Sequence, residues 1–190
     1  MNAVLDNIYE RRSVRSYSEE PVSDDTIKEL IKAGFHAANG MNAQKLRFSV
    51  VSDKAKLKEY SDKGKALFLH YMKDVGMENE GLEKNLNDPG FNIFYDAPSA
   101  IFIYSAPGIL TPAEDASLAA GNIMLAARSL GLGTCWIGFA AGLGGDAGFL
   151  KDNNVPKDHT LLAAIILGYP KNGFPGKSVR EGPTILNWIR

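Results

Sequence analysis

Arg11-Arg12-Ser13-Val14-Arg15 places three guanidinium groups and a hydroxyl within five residues. Arg11 and Arg15 lie four apart, so together with Ser13 they can grip a dianionic phosphate through forked, charge-assisted hydrogen bonds. The same residues can instead serve as the cationic end of a helix, complementing its dipole. Two further segments have binding chemistry of a different kind. Asn39-Gly40-Met41-Asn42-Ala43-Gln44 is rich in amides that both donate and accept, as a heterocyclic ring edge or a polyol chain requires. Ser129 to Gly138 joins a helix to a strand through Gly131, Gly133 and Gly138, which allow backbone to approach a flat ligand closely.

Other chemistries find less support. His36, His70 and His159 are far apart and form no ligand-spaced pair, so a metal centre is not indicated. The single cysteine, Cys135, lies in an apolar strand pattern beside Trp136 and reads as a packing residue rather than a nucleophile. The glycines around 131–138 and 142–148 do not reproduce a dinucleotide fingerprint, and neither a P-loop nor a nucleophile elbow occurs.

The elements that must hold these groups follow from periodicity. Val4, Leu5, Ile8 and Tyr9 make a short helix that feeds the arginine cluster. Ser23 caps a second helix, with Ile27, Leu30, Ile31, Gly34 and Ala38 on one face, ending at Asn39-Gly40. Phe48 to Val51 is a short strand, and Asp53 caps a third helix. Residues 74–92 lose periodicity and predict a mobile excursion with a single helical turn; 65–95 as a whole is expected to act as a lid, with Phe68, Tyr71, Phe91, Phe94 and Tyr95 as candidate lid aromatics, core packing being the expected role of most of them. Ala100 to Tyr104 predicts a strand buried on both faces. Thr111-Pro112-Ala113-Glu114 predicts a capping box that opens a central buried helix through Leu130. Strands follow at 134–138 and 161–167, with glycine-rich turns between them, and residues 171–190 form an extension whose Ile185, Leu186, Trp188 and Ile189 need a surface to bury against. Helices and strands interleave irregularly, which indicates a single α+β domain over 1–190.

Composition narrows the setting. Lys+Arg 21 against Asp+Glu 22 leaves a formal charge of -1, and no basic stripe suited to nucleic acid is present. One cysteine excludes an intrachain disulfide framework. The longest apolar stretch, Leu161 to Leu167, is too short to cross a bilayer, and the N-terminus does not read as a leader. The expectation is a cytoplasmic globular protein.

The three polar and glycine-rich segments, with Asp96-Ala97-Pro98 and Leu167-Gly168-Tyr169-Pro170, together resemble the nitroreductase family of flavin-dependent oxidoreductases. The resemblance spans nearly the whole chain, excepting 65–95 and the last fifteen residues. It implies a three-layer α+β fold with a central mixed β-sheet between helices, assembled as an intertwined homodimer that binds one FMN at each interface. On that model Arg11, Arg12, Ser13 and Arg15 serve the phosphate and ring edge, while Asn42 and Gln44 reach in from the other subunit. Thr134 to Gly138 line the far side of the ring, Trp136, Ile137 and Gly138 among them, with Ile137 and Gly138 offering backbone groups. Lys177 and Arg180 complete phosphate binding, and 171–190 packs on the partner.

The implied activity is transfer of a hydride from NADH or NADPH, by a ping-pong route, to a nitroaromatic, quinone or other small aromatic acceptor, with no side-chain acid or base required. The chain departs from the family in having Ala38-Asn39 where Pro-Ser is common and Lys45-Leu46 where Pro-Trp is common. A flavin-binding redox sensor or carrier, or a divergent chemistry such as reductive dehalogenation, would use the same binding motifs.

Overall fold

Four strands form the sheet in the computed structural model, which describes residues 2–176 and 179–190. They are β1 (Leu46–Val51), β2 (Ser99–Ser105), β3 (Gly133–Trp136) and β4 (Thr160–Gly168), in the spatial order β1-β2-β4-β3. Every neighbouring pair is antiparallel, so the parallel component of the expected mixed sheet is confined to isolated bridges such as Ser13 beside Thr134. Around the sheet lie α1 (Ala3–Glu10), α2 (Asp24–Phe35), α3 (Lys54–Asp74), α4 (Glu80–Asn87), α5 (Pro112–Ser129) and α6 (Ala147–Asp152).

The unbroken apolar run of β2 is buried on both faces, and its alternation divides the interior in two. Phe102 and Tyr104 join Leu57, Tyr60, Phe94 and Phe149 on one side. Ile101 and Ile103 join Leu30, Ala120 and Ile123 on the other. Two cores against opposite faces of one sheet make the three-layer α+β architecture.

Capping explains most helix starts. Ser23 Oγ accepts from the Thr26 N–H at 3.2 Å, and Asp53 from the Lys56 N–H at 3.0 Å. α2 ends at Phe35, four residues short of Asn39-Gly40, because the chain turns there towards β1. The capping box of α5 does not form: the Thr111 hydroxyl donates instead to the buried Asp115 carboxylate at 3.1 Å. α5 is buried along one face only, through Ala116, Ala119, Ala120, Ile123 and Ala127, while Leu118 and Leu130 are about half exposed.

Residues 65–95 are more ordered than an excursion. α3 continues to Asp74, and α4 is a two-turn helix capped by Asn79, whose side chain accepts from the Leu82 N–H at 2.9 Å. Buried Lys65 staples the return, donating to the Asp88 and Phe91 carbonyls at 3.1 and 2.9 Å and pairing with Asp62 at 3.1 Å. The glycine-rich stretch becomes a 3₁₀ segment, Gly138–Gly145, followed by α6.

The arginine cluster is laid on the sheet by backbone pairing. The Val14 N–H donates to the Thr134 carbonyl at 2.9 Å, and the Ser18 N–H to the Tyr169 carbonyl at 2.8 Å. Tyr17 donates to the Val14 carbonyl at 2.6 Å, and burial pushes its phenol far up. Two glycines permit this approach: a Cβ on Gly133 would stand 2.6 Å from Val14, and one on Gly168 would stand 2.8 Å from the Tyr17 ring.

Among the described residues beyond β4 the tail holds only isolated bridges and leaves Ile185, Leu186, Trp188 and Ile189 exposed. The α1 face formed by Val4, Leu5, Ile8 and Tyr9 is uncovered as well. The accessible surface, 11499 Å², is about 30% above the roughly 8,900 Å² expected of a folded monomer of this mass. Among the described residues no helix is long and apolar enough to cross a membrane.

Candidate functional site

Arg15, Cys135, Trp136, Ile137 and Gly138 converge with Phe68, Tyr95 and Phe139 on a cleft of about 330 Å³. Each arrives by a different element. β3 ends at Trp136 and the chain turns into the 3₁₀ segment at Gly138; the paired arginine segment brings Arg15 beside it. Phe68 projects from α3, and Tyr95 from the turn before β2. Phe68 and Phe139 meet edge to face at 4.9 Å, making an apolar wall suited to a flat ring.

The charge in this cleft is uncompensated. Among the described residues no carboxylate lies within 4.0 Å of Arg15, whose guanidinium carbon sits 5.7 Å from the Tyr95 ring centroid. Such a cation attracts the negative edge of a ligand that enters the cleft. Arg11 likewise has no ion-pair partner among the described residues.

The backbone contributes less than expected at one position. The Ile137 N–H is spent on the Ala164 carbonyl at 2.8 Å, and the Ile137 carbonyl accepts from the Ala140 N–H at 3.3 Å. Gly138, at the start of the 3₁₀ segment, keeps an N–H without a backbone acceptor among the described residues. A Cβ on Gly138 would meet nothing within 4 Å, so this residue, which lines the cleft, is open on its side-chain side. Cys135 is buried and free, its thiol directed to the Trp136 carbonyl at 3.4 Å, which agrees with a packing role.

Arg12 has a task within its own helix. Its Nη1 donates to the Tyr9 and Arg11 carbonyls at 2.8 and 2.6 Å, closing the end of α1, while its buried Nε has no partner. Thus the cluster divides: Arg12 is partly a helix cap, and Arg11, Ser13 and Arg15 keep their polar heads for other partners.

Asn42 and Gln44 are not in this cleft. They bond each other at 2.9 Å in a turn with left-handed φ at Met41, Asn42 and Gln44, and that turn is anchored to α5 where the Gly40 N–H donates to Asp115 at 2.9 Å. The arginine segment is anchored at the opposite end of α5, where Arg128 pairs with Glu10 at 2.8 Å. Asp115 and Arg128 are separated by roughly 20 Å along the helix. Arg180 is exposed in the tail, and Lys177 lies outside the described residues. Among the described residues no cluster of His, Cys, Asp or Glu is suited to a metal.

Phe139 was not singled out from sequence, although it directly follows Gly138; Phe68 and Tyr95 stood out only as lid aromatics. Asp115 also escaped notice, because an acid in a first helical turn reads as dipole compensation. The unpaired cations, the orphaned Arg12 Nε, the open space at Gly138 and the aromatic wall fit the phosphorylated flavin that the resemblance implies.

The chain is similar over most of its length to known proteins. The model of the family described as "Nitroreductase family" matches residues 8–169. The chain is 29% identical over 98% of its length to an FMN reductase [NAD(P)H] of Bacillus subtilis, covering 76% of that protein. It is 29% identical over 90% of its length to a putative NADH dehydrogenase/NAD(P)H nitroreductase of Archaeoglobus fulgidus, covering 88% of it. A nitroreductase from Bacteroides fragilis, solved with bound FMN, superposes with a TM-score of 0.83 at 26% identity, with complete coverage of both chains.

Proposed function

Because the chain belongs to the nitroreductase family, we propose that it is an FMN-dependent NAD(P)H oxidoreductase whose acceptors are nitroaromatics, quinones or related small aromatic compounds. The observation that carries this reading is the cleft lined by Arg15, Gly138 and an aromatic wall, with no carboxylate paired to Arg15 among the described residues. The B. subtilis and A. fulgidus relatives, both named for NAD(P)H, support the donor. The FMN-bound B. fragilis structure supports the cofactor.

FMN, when bound, supplies the hydride and electron transfer, alternating between donor and acceptor in a ping-pong cycle. Arg15 holds positive charge where negative charge builds on reduction, and Gly138 offers a backbone donor at the ring edge. Phe68, Trp136 and Phe139 exclude water and present flat surface to an aromatic partner. Arg11 and Ser13 serve the phosphate. No side chain in the cleft is assigned as a proton donor.

The site requires a second copy of the chain. Asn42 and Gln44 stand at the far end of α5 from Arg15, so their part in binding is to serve the partner's cleft. The uncovered α1 face and apolar tail are the surfaces that a homodimer would bury.

The test is the visible spectrum of the purified protein, reconstituted with FMN and desalted, before and after anaerobic NADH or NADPH. A retained flavin band that bleaches supports the proposal. A colourless protein would overturn it, and a band that neither nucleotide bleaches would overturn the NAD(P)H assignment.

A further inference from the structure

Arg15 is a long, exposed side chain with no carboxylate neighbour and no hydrogen bond among the described residues. Left alone, such a side chain samples many rotamers and delivers its charge to no fixed point. Its guanidinium carbon sits 5.7 Å from the centroid of the Tyr95 ring, within the range where an aromatic face attracts a cation.

The ring is held in place at a conformational cost. Tyr95 has φ 52 and Asp96 also has φ 52, a left-handed pair that is unfavourable for a bulky aromatic residue. Asn92 imposes it: its carbonyl accepts from the Tyr95 N–H at 2.8 Å, its Oδ1 accepts from the Phe94 N–H at 2.9 Å, and its Nδ2 donates to Asp96 at 2.8 Å. Fully buried Phe94 anchors the turn on Phe102, and Phe91 packs edge-on against Tyr95 at 5.8 Å. Lys65 fixes the Phe91 carbonyl from α3. The Tyr95 hydroxyl has no hydrogen bond among the described residues, so what the turn presents to the cleft is the ring.

We infer that Tyr95 is a positioning residue, an aromatic rest that fixes the Arg15 guanidinium in the cleft without neutralising it; this rests on the flavin reading above. A carboxylate would also fix the arginine, but it would cancel the charge that reduced flavin needs. A ring face holds the cation and leaves its full charge for the ligand. The consequence is selective: removing the ring weakens binding of reduced flavin more than binding of oxidised flavin.

The experiment uses the FMN-loaded protein and two variants. Tyr95→Asn removes the ring while keeping a residue that tolerates left-handed φ, so the turn survives. Tyr95→Phe keeps the ring. Dissociation constants for oxidised FMN, together with spectroelectrochemical midpoint potentials, give the ratio of reduced to oxidised affinity. In Tyr95→Asn that ratio is expected to fall about three- to five-fold, which lowers the two-electron potential by about 15–20 mV. Tyr95→Phe should stay within two-fold of the parent.

In an Arg15→Gln background the Tyr95→Asn change should have no further effect on the potential. Equal potentials for Tyr95→Asn and the parent, or an undiminished Tyr95→Asn effect without Arg15, would overturn the inference. Failure of the parent protein itself to bind FMN would instead strike the reading on which it rests.

Discussion

Replacing Gly133 by alanine tests whether one missing side chain is what lets the arginine segment lie on the sheet. The new Cβ would stand 2.6 Å from both Cβ and Cγ2 of Val14 and 2.8 Å from its Cγ1. Val14 cannot swing aside, because it is 2% exposed and its χ1 is stiffened by β-branching. The segment must therefore lift from β3, weakening the 2.9 Å bond from the Val14 N–H to the Thr134 carbonyl and part of the Val14 burial. A weakened hydrogen bond of about 1 kcal/mol plus overpacking of about 1–3 kcal/mol, less about 0.5 kcal/mol from a stiffer unfolded chain, leaves a loss of about 2.5 kcal/mol.

For a chain of this length that lowers Tm by about 5–10 °C. Circular dichroism melts and urea titrations read it directly. Gly81→Ala, the same chemical change on the exposed start of α4 where only Asn79 Oδ1 lies nearby at 3.7 Å, should be neutral or stabilising by up to about 0.5 kcal/mol. In a Val14→Gly background the Gly133→Ala cost should largely vanish, since the two positions are coupled. A Gly133→Ala protein that melts with the parent, or a cost unchanged by Val14→Gly, would refute the argument.

Other outcomes follow from the same structure. Lys65→Met removes the donor to the Asp88 and Phe91 carbonyls and should destabilise the protein by about 2–4 kcal/mol in urea unfolding, with proteolytic sensitivity rising between α3 and β2. The Asp152 carboxyl is held below its usual range by hydrogen bonds from Lys56 and Tyr60, so the folded state binds fewer protons than the unfolded chain near pH 4. That stabilisation is complete above the unfolded value of about 3.9 and is lost as pH falls through the lower folded value; Asp152→Asn should flatten the acid limb of a stability-against-pH curve. Removing residues 185–190 deletes Ile185, Leu186, Trp188 and Ile189, and should yield monomer or flavin loss in size-exclusion chromatography with absorbance detection; a fully flavinated dimer would count against the tail as an interface.

What sequence made legible was set by local physics. Ser23 and Asp53 announced their helices because a side-chain acceptor three residues before a free N–H is a short-range device. β2 announced itself because a strand covered on both faces needs no polar alternation. What stayed hidden depended on distant partners. Thr111 fits a capping box by spacing, yet Asp115 takes its hydroxyl because that carboxylate is buried and also serves Gly40 from another loop. The return from α4 looks irregular because the Asp88 and Phe91 carbonyls are held by Lys65, an ordinary surface residue by type. Within the expected site, Ile137 and Gly138 look equivalent in sequence, and only the register with β4 shows that one N–H is already spent.

α5 gives these pieces a common frame. Its first turn holds the Asn42 and Gln44 loop through Asp115, and its last turn holds the arginine segment through Arg128 and Glu10. A packed helix of this length does not bend to bring its ends together, so the loop and the arginine segment stay anchored at opposite ends of α5 in any one chain. If both contribute to one flavin, they must come from two chains, with each copy lending its loop to the cleft of the other. Binding and association then become one equilibrium: ligand that selects the paired state draws monomers together, and dilution weakens retention of the ligand. The apparent FMN affinity should therefore rise with protein concentration until pairing is complete, while a site contained within a single chain would show no such dependence.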